Sequence, residues 1–250
     1  MNEHIHIDDL NVYYGPAQAL KNVTLSVPRN QITVIMGPSG CGKTTLLKSL
    51  NRFLELDPET RLQGQVLVDG EDIYDPRRDV MDIRKKIGLL SQRPFPLPMS
   101  IYDNVAYGMR IHAMQRGAAV DSRVQHYLEV AGLWEEVKAR LHAPARGLSI
   151  GQQQRLCLAR GLAVEPEILL GDEPTSSLDP ISAQHIEERL LELKSKYTIV
   201  LVTHILRQAR RLADHVVFMY LGEVVESGPA QDVFANPRQE RTRAYLQGQF

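Results

Sequence analysis

The chain has 250 residues, 43% hydrophobic and 24% charged, with 29 Lys and Arg against 30 Asp and Glu and a net charge of −1. That composition suits a globular protein with a sizeable core, and the balanced charge excludes a global field that would gather nucleic acid or an anionic membrane. Cys41 and Cys157 are too few and too far apart for a disulfide framework, the opening MNEHIHIDDL has neither the basic start nor the apolar stretch of a secretion signal, and no apolar run approaches the roughly 20 residues of a membrane span.

In chain order, apolar residues at 5 and 7 and then at 20, 23, 25 and 27 predict early strands. His4 and His6 alternate with Ile5 and Ile7, which puts both on the polar face of the first strand. QITVIMG (31–37) reads as a short buried strand, KTTLLKSLNRFLEL (43–56) as the helix after it, and GQVLVDG (64–70) and KIGLLSQ (86–92) as further strands. The prolines of PFPLP (94–98) hold the chain extended and mark a boundary. From 96 to 163 the patterns are helical only: Ile101–Ile111, Val120–Ala131, Trp134–Leu141 and Gln152–Ala163, with Trp134 expected in the core. Strand character returns at EILLGDE (167–173), YTIVLVTH (197–204) and HVVFMYLGEVVES (215–227), and Ile186, Leu190 and Leu193 recur at helical spacing between the first two. Alternating strands and helices imply a mainly parallel sheet covered on both faces. The arginine clusters at 77–78, 84–86 and 207–211 read as solvated faces.

Three stretches carry chemistry. GPSGCGKT (37–44) fits G-x-x-x-x-G-K-[ST] between a predicted strand and a predicted helix. Gly40 and Gly42 let backbone N–H groups bend toward phosphate oxygens, Lys43 adds a positive charge, and Thr44 offers a hydroxyl to Mg²⁺. ILLGDEP (168–174) is an apolar strand ending in two adjacent carboxylates, an expensive arrangement unless a cation or a reaction lies there. Asp172 is the candidate metal ligand and Glu173 the general base. The strand at 197–204 ends in His204, and Gln92 ends another; strand ends of a parallel sheet share one edge, so these residues can converge there.

Together these residues resemble the ATP-binding subunits of ABC transporters along essentially the whole chain. GPSGCGKT is similar to Walker A, Gln92 to the Q-loop, LSIGQQQR (148–155) to the signature motif, ILLGDEP to Walker B, SSLD (176–179) to the D-loop and His204 to the switch histidine, in the family's order. The resemblance implies a P-loop NTPase (RecA-like) core with an N-terminal antiparallel β region over 1–95 and 164–250, and a helical subdomain over 96–163 that ends in the signature motif. It implies ATP bound by Tyr14, stacking on adenine, and by Gly37, Pro38, Ser39, Gly40, Cys41, Gly42, Lys43, Thr44 and Thr45; Mg²⁺ held by Thr44, Gln92 and Asp172; and hydrolysis by Glu173, His204 and Gln92. It also implies a homodimer in which Ser149, Ile150, Gly151 and Gln152 of one copy contact the ATP of the other, beside Ser177, Leu178 and Asp179.

RPFPLPMSIYDNVAYGMR, LQGQVLVDGEDIYDP and the ending GPAQDVFANPRQERTRAYLQGQF resemble the phosphate-import (Pst-type) members. That likeness implies two integral membrane permease subunits, an extracytoplasmic phosphate-binding protein as an indirect partner, no nucleic acid, and a peripheral position on the cytoplasmic face of the cell (inner) membrane. An importer of another small solute, such as an amino acid or oxyanion, a soluble ABC ATPase of repair or translation, and a nucleotide-gated module without turnover stay open. Ile150 stands where the family's pattern has glycine, which predicts intact ATP binding but weakened dimer closure and turnover.

Overall fold

A computed structural model describes residues 3–112, 114 and 117–249. The chain begins with Glu3–Tyr14 (β1), Ala17–Pro28 (β2), Ile32–Met36 (β3), Lys43–Ser49 (α1), Thr60–Val68 (β4), Glu71–Asp72 (β5), Val80–Lys86 (α2) and Ile87–Leu90 (β6). Four helices follow: Ile101–Ile111 (α3), Ala118–Val130 (α4), Trp134–Val137 (α5) and Ile150–Leu162 (α6). Ile168–Asp172 (β7), Pro180–Leu193 (α7), Thr198–Val202 (β8), Leu206–Leu212 (α8), His215–Tyr220 (β9), Glu223–Pro229 (β10), Ala230–Ala235 (α9) and Glu240–Leu246 (α10) complete it.

Two sheets form. The first is antiparallel, ordered β2-β1-β4-β5. Its inward residues are odd-numbered at Ile5 and Ile7 but even-numbered at Leu10 and Val12, and all four are fully buried. A register shift between Ile7 and Leu10, with Asp9 at φ 46°, absorbs the extra residue and keeps the apolar set on one face. The second sheet runs β10-β9-β3-β8-β7-β6 and is parallel except for the β9–β10 hairpin. Every residue of β3 and β8 is buried, as expected for strands covered on both faces. One apolar cluster packs α3, α4, α6 and α7 against this sheet; another fills the space between the two sheets around α1.

Several expectations change. The helix predicted through Leu56 stops at Ser49, because Arg52 takes the left-handed conformation at φ 57° and a 3₁₀ turn covers Phe53–Leu56. The helix predicted over Trp134–Leu141 is a single turn followed by a 3₁₀ turn, and Trp134 is half-buried against the core. HVVFMYLGEVVES is two strands: Leu221 and Gly222 at φ 47° and 87° turn the chain back in a tight hairpin. His4 and His6 do not share a polar face. His4 is 2% exposed, its Nδ1 2.6 Å from Thr198 Oγ1, because β8 closes over that side of β1, whereas His6 is half-buried beside Ser26.

Candidate nucleotide site

Parallel register fixes which groups meet. β3 pairs with β8, and β8 with β7, so that Thr203 N donates to Ile35 O and Glu173 N donates to Val202 O. The carboxyl ends of β3, β7 and β8, with the loops that leave them, therefore form one edge. Gly37–Gly42, Asp172–Glu173 and His204 are brought together there.

The loop after β3 carries its glycines for steric reasons. A Cβ on Gly37 would lie 2.2 Å from Met219 O, and one on Gly42, at φ 102°, would lie 2.9 Å from Leu20 Cδ2. Gly40 at φ 76° faces open space. Lys43 is buried and donates from Nζ to Gly37 O at 2.8 Å and Pro38 O at 2.7 Å, lying back along the loop it follows. No acidic residue occupies the first turn of α1, and among the described residues no side chain caps it. Cys41 is a buried packing residue whose thiol burial pushes up.

Two short contacts join the loop to the strand ends. Thr44 Oγ1 donates to Asp172 Oδ1 at 2.9 Å. Burial lifts the Asp172 carboxyl above its ordinary value, opposed by the Thr44 hydrogen bond and the Lys48 charge and assisted by the neighbouring Glu173. Glu173 Oε1 lies 2.9 Å from His204 Nδ1, and Glu173 itself takes a left-handed φ of 48°, a strained conformation for a side-chain-bearing residue. A carboxylate held by a histidine at a strand end, next to a hydroxyl–carboxylate pair, is an arrangement able to orient water and accept its proton.

A cleft of about 600 Å³ opens over Thr44 and Glu173, lined also by Tyr14, Ser39, Gly40, Gly42, Lys43 and Thr45, with Asp172 and His204 behind its lining. Tyr14 OH donates to Thr45 Oγ1 at 3.3 Å. The cleft has a wall that sequence reasoning missed: Gln18, Ala19 and Lys21 of β2 with Leu221 and Gly222 of the β9–β10 turn. That turn is pinned by Lys21 N donating to Gly222 O and Gly222 N to Cys41 O, contacts between segments with no local signal connecting them.

Other candidates lie outside the cleft. Gln92 is exposed and does not line it. Ser149 caps α6 in a capping box with Gln152, whose Nε2 also donates to Glu136. Gly151 is glycine because a Cβ would lie 2.4 Å from Ser182 Oγ at the start of α7. Ile150 and Ile181, the residues flanking that contact, are 56% and 69% exposed. Asp179 caps α7 by accepting from Ile181 N and Ser182 N, Leu178 packs half-buried on the core, and Ser177 is exposed. His4 Nε2 faces Asp69 and Glu167, but Lys86 and Arg29 already pair with those carboxylates. Among the described residues no helix is long and apolar enough to cross a membrane.

A parallel sheet whose edge carries a glycine-rich phosphate loop, a threonine–aspartate pair and a glutamate defines a P-loop nucleotide-binding protein. The chain belongs to the ABC transporter family, with residues 20–176 matching it, and is an ATP-binding ATPase of that family. It is 52% identical, over 248 residues and 99% of both chains, to the phosphate import ATP-binding protein PstB of Thermotoga maritima. The fold superposes with a TM-score of 0.81 on cbiO1 of Clostridium perfringens, part of the ABC transporter complex cbiONQ, at 28% identity over all of both chains. It also matches a bacterial Atm1-family ABC exporter with ATP bound, with a TM-score of 0.82 and 25% identity, spanning 42% of that chain.

Proposed function

We propose that the chain is the ATP-hydrolysing subunit of an importer of inorganic phosphate, working at the cytoplasmic face of the inner membrane. The observation that carries hydrolysis is the paired contact at the sheet edge, Thr44 with Asp172 and Glu173 with His204, each at 2.9 Å. The substrate assignment rests on the phosphate-import relative, which matches 99% of the chain, including its helical segment and ending.

In this reading the amides of residues 37–44 and the Lys43 ammonium bind the β- and γ-phosphates, and Tyr14 supports the base from β1. Thr44 and Asp172, in contact at 2.9 Å, would supply hard oxygen donors of the kind Mg²⁺ takes, with Gln92 joining them from outside the cleft, and the ion would neutralise phosphate charge. Glu173 accepts a proton from the attacking water, whose oxygen bonds to the γ-phosphorus as the β–γ bridging bond breaks and ADP leaves. His204 holds the carboxylate in place for that transfer. The division into a core of 1–95 and 164–250 and a helical part of 96–163 is supported by α3 to α6, which contribute no strand to either sheet. Ser149–Gln152 and Ser177–Asp179 lie outside the chain's own cleft, which supports a second copy supplying them in trans. Two membrane subunits and an extracytoplasmic binding protein complete the assembly.

The test is phosphate uptake by cells or vesicles carrying the chain with its co-purifying membrane subunits. Uptake that needs ATP and is lost in Glu173→Gln is the expected result. Uptake of a different solute would replace the substrate, and co-purification of a repair or translation complex would overturn the transport reading.

A further inference from the structure

Behind the cleft lies a buried polar cluster. Thr203, one residue before His204, Gln208 on α8, Thr175, two residues after Glu173, and Glu187 in the middle of α7 are each between 4% and 6% exposed. Gln208 is their hub. Its Oε1 accepts from Thr203 Oγ1 at 2.5 Å, and its Nε2 donates to Thr175 Oγ1 at 2.6 Å and to Glu187 Oε1 at 2.9 Å. Thr203 Oγ1 in turn accepts from Ile205 N at 3.1 Å, bracing the turn that carries His204, and Thr175 O accepts from Leu178 N at 3.1 Å, bracing the loop toward Asp179. Arg211 pairs with Glu187 from the solvent side.

A carboxamide offers one acceptor oxygen and two N–H donors, and all of these are used here. Leucine would leave the two threonines and the glutamate without this partner, and glutamate would set a second carboxylate against Glu187. We propose that Gln208 is a positioning residue for hydrolysis: it locks the strand end bearing His204 to the segment bearing Glu173 and thereby sets the contact between those two side chains. The proposal rests on the hydrolytic reading above, while Gln208 is not among the residues that line the cleft.

The experiment compares wild type, Gln208→Leu, Gln208→Glu and the exchange Gln208→Glu with Glu187→Gln, which reverses the hydrogen bond between the two positions and preserves the charge. In both single variants kcat is expected to fall at least about tenfold while KM for ATP stays within about threefold, since the phosphate loop is untouched. The exchange is expected to return kcat to within about threefold of wild type. In histidine-labelled NMR spectra, the His204 ring signal of Gln208→Leu is expected to move as it does in Glu173→Gln, a readout independent of turnover. Should Gln208→Leu not fold, the exchange still decides. Unchanged kcat in the single variants, kcat and KM moving together, or an exchange as slow as Gln208→Glu would overturn the proposal. An unmoved His204 signal would do the same, even if wild type proved unable to hydrolyse ATP, an outcome that would separately refute the hydrolytic reading.

Discussion

Replacing Ile150 with glycine separates the stability of the single chain from the pairing of two copies, because the two respond with opposite signs. Ile150 is the first residue of α6 and 56% exposed. Full burial of an isoleucine side chain stabilises by about 1.5 to 3 kcal/mol, so losing the minor share that is buried costs about 1 kcal/mol. Glycine adds at most about 1 kcal/mol at a helix-interior position and less in the first turn, where the Ser149–Gln152 capping box stays intact. The single chain should therefore lose about 1 to 2 kcal/mol. If α6 meets nucleotide on a second copy, the β-branched side chain crowds that approach by about 1 to 3 kcal/mol. Removing it then favours association by about 5- to 150-fold. The assay is ATP turnover per subunit across a range of protein concentration, with sedimentation of the ATP-loaded Glu173→Gln form, with and without Ile150→Gly. Turnover and association both unchanged would refute the crowding argument. A fall in both would mean that Ile150 joins Ile181 as an apolar contact that helps to hold the copies together.

Under the proposed role of its carboxylate as a base toward water, Glu173→Gln should lower turnover by about 10²- to 10⁴-fold and leave binding of a fluorescent ATP analogue within a few-fold. Loss of binding instead would make Glu173 structural. Gly37→Ala drives a methyl group into Met219 O, 2.2 Å from the ideal Cβ position, and should lower the unfolding midpoint in urea along with nucleotide binding; wild-type values for both would show that the loop shifts freely. Burial, then the Arg29 charge and that of Lys86, opposed by Glu167, hold the His4 pKa at about 4 instead of 6.5. Between those values the unfolded chain binds the proton and the folded chain does not, so this contribution to stability is complete above pH 6.5 and declines as pH falls toward about 4. His4→Gln should flatten that decline in urea unfolding measured across the window, and an unaltered slope would assign it to other groups.

The phosphate loop, the acidic pair after β7 and the strand-terminal histidine were legible because each is a local pattern: residue type, spacing and the periodicity of the flanking segment suffice. The alternation of strands and helices likewise gave the parallel sheet, and from it the shared edge where Thr44 meets Asp172 and Glu173 meets His204. Helix ends were less legible. Nothing in KTTLLKSLNRFLEL marks Arg52 as the residue that takes a left-handed φ and ends α1 early.

What only tertiary structure decided was every contact between segments that share no pattern. The cleft wall at Leu221 and Gly222 depends on a hairpin turn docking on β2 and Cys41. Gly151 is required by Ser182 of another helix, His4 is buried because β8 covers it, and the hub at Gln208 joins α7 to the loops that follow β7 and β8. The chemistry of this chain is thus written in residues close along the sequence, whose meaning survives reading them alone. The placement of that chemistry is set by side chains whose burial and hydrogen-bond partners exist only once the sheet and its helices have packed.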